Sequence, residues 1–207
     1  GQDLRSGGGS CAHRRCTVSL DLQACSDGEL AALTLAGRQS AFAEIMRRHQ
    51  TAIFRLVRGL VGNAEEALDL TQDCFVSAFS HLRKYDGARP LRAWLSRIAI
   101  NKCRDWRRRQ RVRQLFTFGS APSDDEIEQV PDDAPSAHAS AESKIEVERL
   151  SAAISALPAT LREVLMLRTV EGLSQSEAAK ALSVSSKAVE TRLYRARARL
   201  AEILAEE

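Results

Sequence analysis

The chain has 207 residues, enough for one or two domains that each bury a modest core. Its 30 Lys and Arg stand against 27 Asp and Glu, so the net charge of +3 does not by itself announce a nucleic-acid partner, and five cysteines without a Cys-x-x-Cys pair argue against a disulfide framework. No apolar run approaches the roughly 20 residues that cross a bilayer, and the N-terminus has no charged-then-apolar signal pattern, so the expected location is the cytoplasm.

Residues 1–25 are expected to be an unstructured extension or tag remnant, since Arg5 to Ser10 has the composition of an expression linker. Cys11, His13 and Cys16 in it read as a chance cluster, because no fourth metal ligand is evident. Ser26 and Glu29 form a capping box that opens a short helix, which Gly37 ends. Phe42, Ile45, Met46, Ile53, Leu56, Val57 and Leu60 then recur at helical period along one long amphipathic helix, stopped at Gly62-Asn63. The next helix carries Ala67, Leu70, Cys74, Phe75, Ala78, Phe79 and Leu82. Tyr85 to Arg89 is a loop, and Pro90 suits the first turn of a helix that presents Leu91, Trp94, Leu95, Ile98 and Ala99 to a core.

The far end of that helix is strongly basic. Arg97, Lys102, Arg104, Arg107, Arg108, Arg109, Arg111 and Arg113 are interrupted by one acid, Asp105. From about Val112 to Ser143 apolar periodicity fades, Pro122, Pro131 and Pro135 punctuate the chain, and Asp124, Asp125, Glu126, Glu128, Asp132 and Asp133 make it acidic. This reads as a linker, and such charge blocks survive averaging as separate fields. Helical pattern resumes at Ile145, Val147, Leu150, Ile154 and Leu157, breaks at Pro158 and continues through Leu161, Val164, Leu165 and Leu167.

The last segment is a helix-turn-helix. Ser174 and Glu177 form a second capping box; Ala178, Ala179 and Leu182 share one face, with a small residue where another helix must cross closely; Ser183 to Ser185 is a polar turn with Val184 as its apolar plug. Val189, Leu193, Ala196 and Leu200 give the second helix one apolar side. Its other side holds Lys187, Glu190, Thr191, Tyr194 and Arg195, where a major groove would see them. Ser183 stands where many such turns have glycine, so strain is expected if the backbone there goes left-handed. No strand-like alternation of useful length occurs, and the fold class is all-α.

In this order the motifs resemble the extracytoplasmic-function group of bacterial sigma factors, of the sigma-70 family, over roughly Ser26 to the C-terminus. Glu66 to Phe75 resembles the segment that docks on RNA polymerase, Arg92 to Asn101 the promoter-melting helix, and Leu157-Pro158, Leu161 to Leu165 and Glu171 to Ser174 the approach to the second DNA-reading domain. The resemblance implies two small helical domains, sigma region 2 at 26–112 and sigma region 4 at 144–207, joined by a flexible acidic linker at 113–143.

It also implies site residues. Asp69, Leu70, Gln72, Asp73 and Phe75 would meet the polymerase, a charged edge beside a buried strip. Tyr85, Asp86, Arg89, Arg97, Asn101, Lys102, Arg104 and Arg108 would hold the minus-ten element, since a separated strand calls for cations, aromatic faces and a pocket for a flipped base. Trp94, at helical spacing with Leu91 and Leu95, is expected in the core. Arg168, Ser186, Lys187, Glu190, Thr191, Tyr194 and Arg195 would read the minus-thirty-five element as duplex; Glu190 departs from the Lys or Arg common there.

The expected partners are core RNA polymerase, promoter DNA and an anti-sigma factor, with no membrane insertion of this chain. The acidic linker reads either as a plain tether or as a nucleic-acid mimic on the RNA exit path. No cofactor, metal or catalytic residue is expected, because no phosphate-cradling glycine loop, metal cluster or activated nucleophile occurs. The alternative is a stand-alone helix-turn-helix transcriptional regulator.

Overall fold

The computed structural model describes residues 21–118 and 141–206, so the cluster at Cys11, His13 and Cys16 and the acidic stretch from Asp124 to Asp133 lie outside the described residues. Every regular element among them is helical: α1 Asp27–Leu35, α2 Gln39–Val61, α3 Ala64–His81, a single 3-10 turn at Leu82–Lys84, α4 Leu91–Phe118, α5 Ala141–Ser155, α6 Ala159–Thr169, α7 Gln175–Leu182 and α8 Ser186–Glu206. No described helix is long and apolar enough to cross a membrane.

Local chemistry accounts for the boundaries. At α1, Ser26 N–H donates to Glu29 Oε2 at 2.7 Å while Glu29 N–H donates back to Ser26 Oγ at 3.3 Å, closing the capping box. Gly62 ends α2 in the left-handed region at φ 83°, where an L side chain would be strained. Asn63, expected as part of that stop, also starts α3, for its side chain accepts from Glu66 N–H at 3.0 Å. Pro90 and Pro158 each stand just before a helix, α4 and α6.

Two expectations are corrected. Residues 21–25 are not loose: the Arg48 guanidinium donates to the carbonyls of Leu22 at 3.0 Å, Gln23 at 2.8 Å and Cys25 at 2.8 Å, a tie across a sequence distance that periodicity cannot register. The helix expected to fade near Val112 runs on to Phe118. Arginine and glutamine are good helix formers without any buried face, and Val112, Leu115 and Phe116 ride on this stretch exposed.

The first four helices enclose a core of Ile45, Ile53, Leu56, Leu60, Cys74, Leu95 and Ile100, none of them exposed. In the C-terminal unit Leu157, Leu165 and Ala196 gather Leu161, Leu193 and Leu200 into a smaller cluster. The first core does not stop at the unit boundary. It continues through Val164, Met166, Leu167, Leu173, Ala178 and Val189, as α6 packs on α2 and α7 on α4. The two helical domains expected from sequence thus share one apolar interior, an arrangement the sequence alone leaves open.

Candidate nucleic-acid interface

On α3, Asp69, Gln72 and Asp73 are exposed on one edge. Leu70 and Phe75 are only 4% and 2% exposed, so they hold this edge from inside the core instead of presenting themselves to a partner. Glu66, Asp69, Gln72 and Asp73 line one wall of a shallow cleft whose other wall is Trp106, Arg109 and Arg113 of α4. The Trp106 indole N–H donates to Glu66 Oε2 at 2.8 Å, fixing the acidic edge against the basic helix. Neither Glu66 nor Trp106 was picked out as a site residue from sequence, because their pairing spans 40 residues.

A larger cleft of about 720 Å³ lies between the 85–90 loop and α4, and it gathers Tyr85, Asp86, Arg89, Arg97, Asn101 and Lys102. The loop is preshaped. Tyr85 O–H donates to the Arg89 carbonyl at 2.5 Å, Asp86 pairs with Arg89 at 2.9 Å, and Asp86 Oδ1 accepts from Ala88 N–H at 3.1 Å. The Tyr85 ring stands 5.4 Å from Trp94, tilted by 47°, and Trp94 is half-buried, packed against the core on one side and lining the cleft on the other. Burial raises the Tyr85 phenol above its ordinary value, with Asp27 and Asp86 adding to the effect, so it stays a neutral donor.

The remaining two predicted cations are occupied. Arg108 pairs with Asp105 at 3.0 Å, which assigns a partner to the acid that interrupts the basic run. Arg104 is drawn away from the cleft toward Glu163 of α6, its Nε at 3.0 Å and its Nη2 at 2.6 Å from the carboxylate. That carboxylate, acting first by hydrogen bond, raises the Arg104 guanidinium above its already high value.

In the helix-turn-helix, Ser174 N–H donates to Glu177 Oε2 at 2.7 Å and Glu177 N–H to Ser174 Oγ at 3.2 Å, the reciprocal cap expected. Ser183 adopts φ 58° and ψ 45°, the sole non-glycine residue at positive φ among the described residues. Ser185 Oγ caps α8 by accepting from Ala188 N–H at 3.1 Å, and Gln175 Nε2 donates to the Ser186 carbonyl at 2.7 Å, tying the two helix starts together. Lys187, Glu190, Tyr194 and Arg195 face outward, Tyr194 at 77% exposure, while Thr191 is half-buried with its hydroxyl on the Lys187 carbonyl at 3.0 Å. Lys187 and Glu190 pair at 3.2 Å. Arg168, half-buried, donates its guanidinium to the Leu173 carbonyl at the entry to the helix-turn-helix.

An aromatic-walled cleft with cations, and a capped helix-turn-helix with an exposed polar face, are the two arrangements that separated and duplex DNA respectively require. Comparison with known proteins agrees. The family Sigma-70 region 2 matches residues 45–113, and Sigma-70, region 4 matches residues 147–200. The RNA polymerase sigma factor CnrH of Cupriavidus metallidurans is 39% identical over 181 residues, covering 86% of this chain and 94% of that one. The ECF RNA polymerase sigma factor SigM of Mycobacterium tuberculosis is 35% identical over 181 residues, covering 86% and 85%. Among solved structures, CnrH in complex with the cytosolic domain of CnrY aligns with a TM-score of 0.65 at 33% identity, over 87% of this chain and 98% of that one. The sigma factor RpoE of Bartonella quintana, solved with the anti-sigma factor NepR, shares the fold at a TM-score of 0.67 and 24% identity, over 79% and 96%. The chain belongs to the sigma-70 family and is an RNA polymerase sigma factor of the extracytoplasmic-function group.

Proposed function

We propose that this sigma factor meets core RNA polymerase through the Asp69–Gln72–Asp73 edge of α3, captures an unpaired minus-ten base between Tyr85 and Asn101, and reads the minus-thirty-five duplex with Lys187, Glu190, Tyr194 and Arg195. The observation that carries this is the cleft in which Tyr85, Arg97, Asn101 and Lys102 converge on one mouth. A flipped base needs an aromatic face, an amide for its edge and cations for its phosphates, and those four side chains supply them. The acids on α3 steer encounter with a basic helical partner and set its register.

The chain performs no bond chemistry in this reading; it works in the cytoplasm and lends positional specificity to an enzyme that does the chemistry. An anti-sigma factor holds it silent. This part is supported by the relatives solved with CnrY and with NepR, the latter described as an anti-sigma factor.

Mixing the purified chain with core polymerase and following run-off transcription tests the reading. A stoichiometric complex that starts transcripts at defined sites supports it, whereas DNA binding without any complex would make the chain a stand-alone regulator.

A further inference from the structure

The 85–90 loop leans on α1, a helix that lines no part of the base cleft. α1 packs against the 3-10 turn that leads into the loop, and at Gly28 the two backbones meet. A Cβ at Gly28 would stand 3.2 Å from the Gly87 carbonyl oxygen, nearer than side chains ordinarily sit. Glycine weakens a helix relative to alanine, so the absent side chain in the first turn of α1 is accounted for by this approach.

That first turn is fixed from behind. Both carboxylate oxygens of Asp27 are engaged by α2: Oδ1 accepts from Arg48 Nη1 at 3.2 Å, and Oδ2 lies 2.8 Å from His49 Nε2. The same Arg48 guanidinium holds the carbonyls of Leu22, Gln23 and Cys25, so the chain entering α1 is tied to α2 as well. The loop, for its part, is knitted into one piece. Arg89 N–H donates to the Asp86 carbonyl at 2.9 Å, Ala88 N–H to the Asp86 side chain, and Tyr85 O–H to the Arg89 carbonyl. A push on the Gly87 carbonyl therefore reaches Tyr85 through hydrogen bonds within the loop. Burial first, and then the Asp27 charge, raises the Tyr85 phenol, so the start of α1 lies within electrostatic reach of that hydroxyl.

We propose that Gly28 is a positioning residue for base capture: α1, pinned to α2 through Asp27, seats the 85–90 loop and so sets the distance at which Tyr85 meets an unpaired base. The proposal rests on the assignment of that cleft to single-stranded DNA. Stacking is sensitive to separation, since a gap of about 0.5–1 Å already forfeits a quarter to a half of a van der Waals contact. Gly28 touches no DNA in this account; it acts through Tyr85.

The test uses the full chain with core polymerase, as wild type, Gly28→Ala, Ala32→Gly, Tyr85→Ala and the double variant Gly28→Ala with Tyr85→Ala. Permanganate reactivity of minus-ten thymines reads base capture, co-purification reads docking on polymerase, and thermal melting followed by circular dichroism reads stability. Gly28→Ala is expected to melt close to wild type, because alanine's helix propensity offsets the strain of the new contact, and to dock normally. It should nevertheless open the promoter about threefold less well, the loss expected when a stacking surface shifts by a fraction of an ångström. Ala32→Gly removes only an exposed methyl from α1; it weakens the helix without adding an atom against the loop, and should melt lower yet open the promoter like wild type. A merely structural role for α1 predicts the reverse order. In the Tyr85→Ala background, Gly28→Ala should cause no further loss, because its effect passes through the ring. Normal opening by Gly28→Ala, a loss that weaker docking accounts for, an equal loss in Ala32→Gly, or losses at 28 and 85 that multiply would each overturn the proposal. Tyr85→Ala without any effect would instead overturn the reading of the cleft itself.

Discussion

Arg104 lays both edges of its guanidinium on Glu163, Nε to Oε1 at 3.0 Å and Nη2 to Oε2 at 2.6 Å, across 59 residues of sequence. Arg107 completes the cluster from the same helix, and Arg162 stands close enough that burial, and then the Arg107 charge, pushes its guanidinium down to about 10. One carboxylate thus holds two cations, with a third crowded beside them, at the seam between the two helical units. Breaking a buried ion pair by removing one partner costs about 3 to 5 kcal/mol, because the other charge is left unpaired.

Glu163→Ala should therefore uncouple the units. Wild type, with its shared core, is expected to melt in one calorimetric transition; the variant should show two, the region 4 unit melting first. A single transition at an unchanged temperature would mean the cluster contributes nothing to the coupling.

Ser183→Gly should stabilise the chain by about 1 kcal/mol, since a non-glycine residue in the left-handed region costs about 1–2 kcal/mol and glycine's greater unfolded freedom offsets part of the gain. Ser183 is exposed and its backbone N–H caps α7 on Ala179 and Lys180 carbonyls, contacts that glycine keeps. Urea denaturation reads the difference, and a lower midpoint for the variant would refute the strain.

Glu44 gives a pH prediction. Hydrogen bonds from Arg47, then Arg48, hold its carboxyl down to about 2 from the ordinary 4.5. A carboxylate depressed in the fold contributes stability that is complete above 4.5 and is lost as pH falls toward 2. Glu44→Gln should accordingly be less stable than wild type at neutral pH, with the gap closing across that window. A gap that stays constant down to pH 2 would contradict the pairing.

Much of the architecture was legible in the chain, and the reasons are local. Ser26 with Glu29 and Ser174 with Glu177 satisfy backbone donors three residues away, and the Phe42 to Leu60 spacing needs only a helix to acquire one apolar side. What stayed hidden depends on distant partners. Arg104 reads as one more cation in a basic run until Glu163 is seen beside it, and Glu163 reads as a link in a family motif until its burial is known. Gly59 is an unremarked helix residue unless Met166 is placed against it. The Leu173 carbonyl that Arg168 binds is likewise invisible to spacing alone.

Glu190 should set promoter preference. It is exposed on the recognition helix beside Lys187, where an acid repels phosphate and accepts from a cytosine amino group. Glu190→Lys is expected to change the preferred base at one minus-thirty-five position, by about tenfold or more, consistent with the roughly 1–3 kcal/mol a good base contact discriminates. Selection from a randomised promoter pool with the assembled polymerase measures this; an identical preferred sequence would remove Glu190 from base reading.

Capture of an unpaired base in the Tyr85 cleft is the central claim, and permanganate reactivity of thymines in promoter DNA, with core polymerase and this chain together, tests it most directly. Reactive thymines should develop around the minus-ten element only when both are present, and Tyr85→Ala should reduce them about tenfold, in line with the roughly 1–3 kcal/mol a stacked base contributes. A promoter that stays unreactive with both proteins, or one that opens equally well with Tyr85→Ala, would contradict the account.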